Sequence, residues 1–83
     1  DMETFLGLPM AMDAARAGGS MPTVFNAANE LAVAKFLDRK IKYLDIIDII
    51  EQTMTNIEYI DNPDVKQILD TEAAAYEFIR SRY

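Results

Sequence analysis

Apolar positions recur along this chain at helical spacing in four stretches, and no stretch alternates long enough to read as a strand. The first runs from Pro9 to Ala17. Pro9 suits the opening turn of a helix, where a missing N–H is no loss. Residues 10–17 are favoured or tolerated in helices, and Gly18-Gly19 closes the segment by accepting the left-handed backbone of a C-terminal cap. The second stretch starts at Ser20-Met21-Pro22, with Ser20 or Met21 as the cap, and reaches about Leu37. At 100° per residue, Phe25, Ala28, Asn29, Ala32 and Phe36 share one face, flanked by Val24 and Leu31 on one side and Val33 and Leu37 on the other. Ala27 and Ala34 lie opposite, and only Glu30, Lys35 and Asp38 mark solvent. A helix so apolar all round belongs at the centre of a bundle.

Arg39 to Tyr43 is a joint in which Ile41 and Tyr43 alternate with charges, which predicts a short extended stretch. The third helix spans about Leu44 to Asn56. Its apolar arc is Ile46, Ile47, Ile49, Ile50, Met54 and Ile57, opposite Asp45, Asp48, Glu51 and Gln52. Asp45 and Asp48 also suit the positive end of the helix dipole. A loop with the turn signal Asp61-Asn62-Pro63 follows. The last helical region starts near Pro63 with Asn62 as its cap. Val65, Ile68, Leu69, Tyr76, Ile79 and Tyr83 form one stripe. Glu72 interrupts it, and Asp70-Thr71 could cap a fresh helix, so a break is expected there. The expectation is an all-α fold, a small bundle of about four helices, with residues 1–83 forming a single domain.

Composition narrows what such a bundle can do. The 83 residues are 51% hydrophobic and 27% charged, with a net charge of −6. That favours a folded chain over a disordered one, and the acidic balance disfavours nucleic acid, whose binders carry basic stripes. No apolar run reaches the ~20 residues of a membrane span, and no signal peptide is visible. Asp1 stands where an initiator methionine would, which fits a piece of a larger chain. There is no cysteine and no histidine. Disulfides, thiolate nucleophiles, and the commonest general base and metal ligand are therefore all missing.

The most unusual local feature is Asn26-Ala27-Ala28-Asn29-Glu30. Asparagine is a mediocre helix former, and two fall within about one turn. On the Phe25–Phe36 face, a buried Asn29 amide would need partners, because an unsatisfied one costs about 1–3 kcal/mol. It would bond backbone in a neighbouring loop and fix the packing, or else be aimed at a ligand. Asn26, Asn29 and Glu30 are accordingly the structural polar candidates. Other features carry less. Arg39-Lys40-Ile41-Lys42 is a basic cluster of the kind usually solvated. Asp61-Asn62-Pro63-Asp64 lacks the glycine and distal glutamate of a calcium loop. Gly18-Gly19-Ser20 lacks both the dinucleotide fingerprint and the lysine of a nucleotide loop. Met2, Met10, Met12, Met21 and Met54 read as gap-filling core. No catalytic, cofactor-binding or metal-binding residue stands out.

Read as a string, Ala17 to Leu37 resembles the C-terminal domain of 1-deoxy-D-xylulose 5-phosphate reductoisomerases. Its frame is Gly18-Gly19, Pro22, Asn26 to Glu30 and Phe36-Leu37. The resemblance continues through Arg39 to Ile41, Tyr43 to Ile46 and the third helix. It ends with the apolar turn Val65 to Leu69, Asp70 and the alanine-rich segment from Glu72. It thus covers essentially the whole chain. There is one departure at the start, where the family usually has Phe-Pro at the position of Phe5-Leu6; here the proline comes later, at Pro9.

The resemblance implies a larger parent enzyme of the non-mevalonate isoprenoid pathway. That enzyme uses NADPH and Mg²⁺ or Mn²⁺ to make 2-C-methyl-D-erythritol 4-phosphate, in the cytoplasm and as a homodimer. It also implies that the nucleotide loop and the metal carboxylates lie in other domains. This segment would then hold no catalytic residue and no cofactor, would be inactive alone, and would pack as a structural support against the nucleotide-binding and catalytic domains of its own chain. No membrane and no nucleic acid would be involved. The competing expectations are an independent helical adaptor and a diverged fragment without the parent activity.

Overall fold

The computed structural model describes residues 2–83, with side chains from Pro9 onward. Four α-helices follow in order: α1 (Met2–Ala17), α2 (Met21–Leu37), α3 (Asp45–Asn56) and α4 (Val65–Arg82). No strand occurs among the described residues. The expectation of an all-α bundle of four helices holds, with α2 at its centre: it packs on each of the other three, while among the described residues α1 and α4 do not meet.

The core forms where small side chains of α2 admit large ones of α3 and α4. Ala28 and Ala32 are fully buried against Ile46, Ile49, Ile50 and Ile79, with Met10, Phe25, Leu31, Phe36, Met54 and Phe78 closing around them. Alanines let the helix axes approach, and the isoleucines fill the space that approach leaves. The isoleucine arc of α3 therefore faces inward as expected. Asp48 and Glu51 face water, while Asp45 and Gln52 are half-buried. Of the methionines, Met10 and Met54 pack on the core. Met21 is half-buried and Met12 is exposed. The side chain of Met2, and the Phe5-Leu6 departure, lie outside the described side chains.

Four local expectations are corrected. Helix α1 does not begin at Pro9 but carries it inside. Nothing between Met2 and Leu8 stops a helix as firmly as the Gly18-Gly19 pair does, so the helix runs through the proline despite the usual interior cost of about 3 kcal/mol. The joint at 39–43 is not extended. The amides of Asp38, Arg39 and Lys40 donate back to the carbonyls of Ala34, Phe36 and Lys35, with Arg39 in the left-handed region at φ 59°. The alternation of Ile41 and Tyr43 still has its packing consequence, because Ile41 reaches the core and Tyr43 meets Phe36 edge to face at 5.3 Å.

Helix α4 is capped by Asp64, not Asn62. Asp64 accepts from the Gln67 amide at 2.8 Å, and its own amide donates to Gln67 Oε1 at 3.0 Å. This reciprocal capping box fixes the helix start. The helix then continues through Asp70-Thr71 without a break. Lys66 engages the Asp70 carboxylate at 2.8 Å, so that carboxylate does not cap a new helix, and Thr71 is buried. Thr71, Ala75 and Ile79 define the inward face of α4. That face is rotated from the stripe read in the sequence, and Glu72 interrupts nothing.

The bundle measures 35 × 26 × 17 Å, about two helices thick. It exposes 5,444 Å², somewhat more than the roughly 5,000 Å² expected of a compact chain of its mass.

Candidate functional site

The polar residues of the α2 segment Asn26 to Glu30 turn outward. Val24, Ala27, Ala28 and Ala32 set the buried direction of α2, whereas Asn26, Asn29 and Glu30 are all exposed. The expectation of a buried Asn29 amide bonded to backbone is therefore overturned: among the described residues no such bond engages it. Asn29 does share a face with Phe25 and Phe36. Those rings are only half-buried, and they mark the rim of the helix rather than its inner side. The wheel was right and the depth was wrong.

Glu30 is the one member of this trio tied to another element. The Tyr76 hydroxyl of α4 donates to its Oε2 at 3.1 Å. Partial removal from water raises the Tyr76 phenol above the ordinary tyrosine range. The bond to Glu30 and the negative charges of Glu30 and Glu72 push the same way, against the opposing pull of Arg80. The Arg80 guanidinium sits over the Tyr76 ring at 5.5 Å, a cation–π contact. The seam between α2 and α4 thus carries two carboxylates, a phenol and a guanidinium on the surface.

Toward its N-terminus α4 continues this seam as apolar surface. Val65 is 73% exposed, Leu69 59% and Ile68 38%. The sequence reading missed this, because it gathered these residues with Ile79 into one inward stripe. The available signal was the small Thr71 and Ala75 one turn apart, which let a helix approach its neighbour more closely than Val65 and Leu69 could.

On the opposite side of the turn into α2, Gly18 and Gly19 both take left-handed backbone, with φ 65° and 55°. Ser20 is fully buried. It stands at the cap position of α2 without capping it with its side chain. Instead its amide donates to the Ile60 carbonyl and its hydroxyl accepts from the Ile60 amide, both at 2.8 Å. The Tyr59 hydroxyl donates to the Ala17 carbonyl at 2.9 Å. The glycine pair is thus a structural joint that receives the loop after α3, as its reading as a tight interhelical turn requires.

Shallow hollows lie on the surface of the described residues. One, about 200 Å³, is lined by Leu31, Ala34, Lys35, Asp38, Lys40 and Arg80. Another, about 240 Å³, lies between the loop after α3 and Asp70, Thr71 and Ala74. The basic cluster is solvated: Lys40 pairs with Asp38 at 3.4 Å, and both side chains are largely exposed. Among the described residues no group of three acidic side chains converges on a point where a cation could sit. Among the described residues no strand leads through a glycine-rich loop into a helix either, the arrangement that cradles a dinucleotide. No helix among the described residues is long and apolar enough to cross a membrane.

Comparison with known proteins adds to this geometry. The family model of the DXP reductoisomerase C-terminal domain matches residues 1–78. Over all 83 residues the chain is 63% identical to a 1-deoxy-D-xylulose 5-phosphate reductoisomerase from Agathobacter rectalis and 60% identical to one from Lachnospira eligens. It is 48% identical to one from Clostridium novyi over the same length. In each case the chain spans only 22% of the relative's length.

Proposed function

Because this chain belongs to the DXP reductoisomerase C-terminal domain family, we propose that it is the structural support domain of a 1-deoxy-D-xylulose 5-phosphate reductoisomerase and carries none of the reacting groups itself. The observation that carries this reading is the pairing of a closed apolar core with an outward-facing Asn26–Asn29–Glu30 segment. These polar side chains lie on the surface, where a neighbouring domain of the same polypeptide can reach them.

The parent reaction rearranges 1-deoxy-D-xylulose 5-phosphate and reduces the product with NADPH to 2-C-methyl-D-erythritol 4-phosphate, with Mg²⁺ or Mn²⁺. Those groups would be held by the nucleotide-binding and catalytic domains of the same chain, in a cytoplasmic homodimer. The role of the bundle is positional. Catalysis by orientation requires walls that do not yield, and misplacement by about 1 Å can cost about a hundredfold in rate. A four-helix unit closed by isoleucine and alanine packing provides a rigid body against which a catalytic domain can be fixed.

The reading is tested on the purified 83 residues with NADPH, 1-deoxy-D-xylulose 5-phosphate and Mn²⁺. The expected result is NADPH oxidation no faster than in buffer. Turnover above that rate, surviving a second purification, would contradict it.

A further inference from the structure

Among the described residues the bundle exposes an elongated face whose two halves differ in chemistry. The apolar half is the N-terminal flank of α4, where Val65 and Leu69 are more than half exposed although a capping box holds their helix turn in place. Exposure there is thus not the fraying of a loose end. Helical periodicity carries the same flank forward to Tyr76. There the hydroxyl contact with Glu30 leads onto the outer face of α2, with Asn26 and Asn29.

We propose that this composite face, apolar from Val65 to Leu69 and polar from Tyr76 to Asn26, is the surface on which the remainder of the reductoisomerase polypeptide docks. The proposal rests on the support reading above and names the surface that performs it. Two observations select this occupant. A tethered domain needs far less contact than a free molecule, because the tether supplies an effective concentration in the ~mM range. The chain spans 22% of relatives in which the rest of such a polypeptide is present. Finally, Glu30 and Glu72 make the joint of the face acidic, so the complementary surface offers lysine, arginine or backbone amides there, beside an apolar patch for Leu69.

The test uses the reductoisomerase of Agathobacter rectalis with these 83 residues grafted in place of its matching segment. Hydroxyl-radical footprinting reads side-chain access. Leu69 and Leu44 have nearly equal exposure in the bundle, 59% and 57%, so Leu44 serves as an internal reference of the same chemistry. The expected result is equal labelling of the two in the free chain and several-fold lower labelling of Leu69 in the graft. Protection of Leu44 with Leu69 left open would overturn the assignment of the face while leaving the support role standing. Absence of protection anywhere on the bundle would overturn the support role as well. Concentration-dependent protection of Leu69 in the free chain would overturn the proposal in favour of a second copy. Leu69→Lys gives a second readout. Because the site is exposed, the melting midpoint of the free chain should stay where it is. The grafted enzyme should change from one calorimetric transition to two, and a single unchanged transition would overturn the proposal.

Discussion

Gly18 and Gly19 adopt nearly the same left-handed backbone, yet alanine should be tolerated far better at one than at the other. At Gly18 an added Cβ meets nothing within 4 Å. Only the conformational cost remains, about 1–2 kcal/mol for a non-glycine residue in this region. It is partly offset by about 0.4–1 kcal/mol from the stiffer unfolded chain, so Gly18→Ala should lose about 1 kcal/mol. At Gly19 the Cβ would lie 2.8 Å from the Tyr59 hydroxyl and 2.9 Å from the Asp61 carbonyl oxygen, and it would overlap the Ile60 carbonyl oxygen. Two of these are backbone atoms and cannot rotate away. The loop must retreat, which breaks the paired bonds between Ser20 and Ile60. A buried group left unpaired costs about 1–3 kcal/mol, so Gly19→Ala should lose about 2–4 kcal/mol in all. A domain of this size shifts by about 4–8 °C per kcal/mol, which places the Gly19→Ala midpoint at least ~4 °C below that of Gly18→Ala. Circular dichroism melts of the two variants decide it. Midpoints within ~2 °C of each other would refute the close approach of the loop to Gly19.

Other expectations follow from the same packing. Ile50→Ala, at a site 1% exposed, should cost about 2–5 kcal/mol in urea unfolding. Asp48→Ala should stay within about 0.5 kcal/mol, since its carboxylate is exposed and receives only a 3.3 Å contact from Tyr83; equal losses would show that the faces of α3 are misassigned. Asn29→Leu should leave the midpoint of the free chain within about 0.5 kcal/mol of the parent, and a large loss would mean that the amide holds structure after all. Tyr59, Tyr76 and Tyr83 each sit above the ordinary phenol range, first through partial desolvation and then through Asp61, Glu30 and Asp48. A raised folded value means that the stabilisation is complete below the unfolded phenol value near 10 and is lost as pH climbs through the folded ones. Denaturant midpoints should therefore fall above about pH 10, in step with phenolate absorbance, and a midpoint that rises there would contradict the three hydroxyl contacts.

The sequence made the architecture legible where one physical signal dominated. The isoleucines of α3 fall on one arc and the charges on the other, so its inward face and its end at Asn56 could be read directly. An apolar surface all round marked α2 as the helix at the centre of the bundle. Reading failed where two signals competed. In α4, large apolar residues pulled the inferred face toward Val65 and Leu69, while the smaller Thr71 and Ala75 in fact face inward; in a thin bundle, closeness of approach outweighed side-chain size. Asn29 was assigned depth from its neighbours on the helical wheel, but a wheel gives direction, and only the position of the other helices gives burial. The contact between Tyr76 and Glu30 joins residues 46 positions apart, and no local pattern encodes it. The family frame from Gly18 to Leu37 was visible in the string itself, yet the outward turn of its asparagines became apparent only in three dimensions.

The claim that this bundle supports a reductoisomerase without taking part in its chemistry is tested most directly by turnover in the graft. The Agathobacter rectalis enzyme is prepared intact, truncated before the matching segment, and truncated with these 83 residues grafted on. NADPH oxidation is followed with saturating 1-deoxy-D-xylulose 5-phosphate and Mn²⁺. The expected result is loss of turnover on truncation and recovery to near the intact rate on grafting, with a KM for substrate like that of the intact enzyme because no substrate contact has changed. A truncated enzyme as active as the intact one would contradict the account, and so would a graft no better than the truncation.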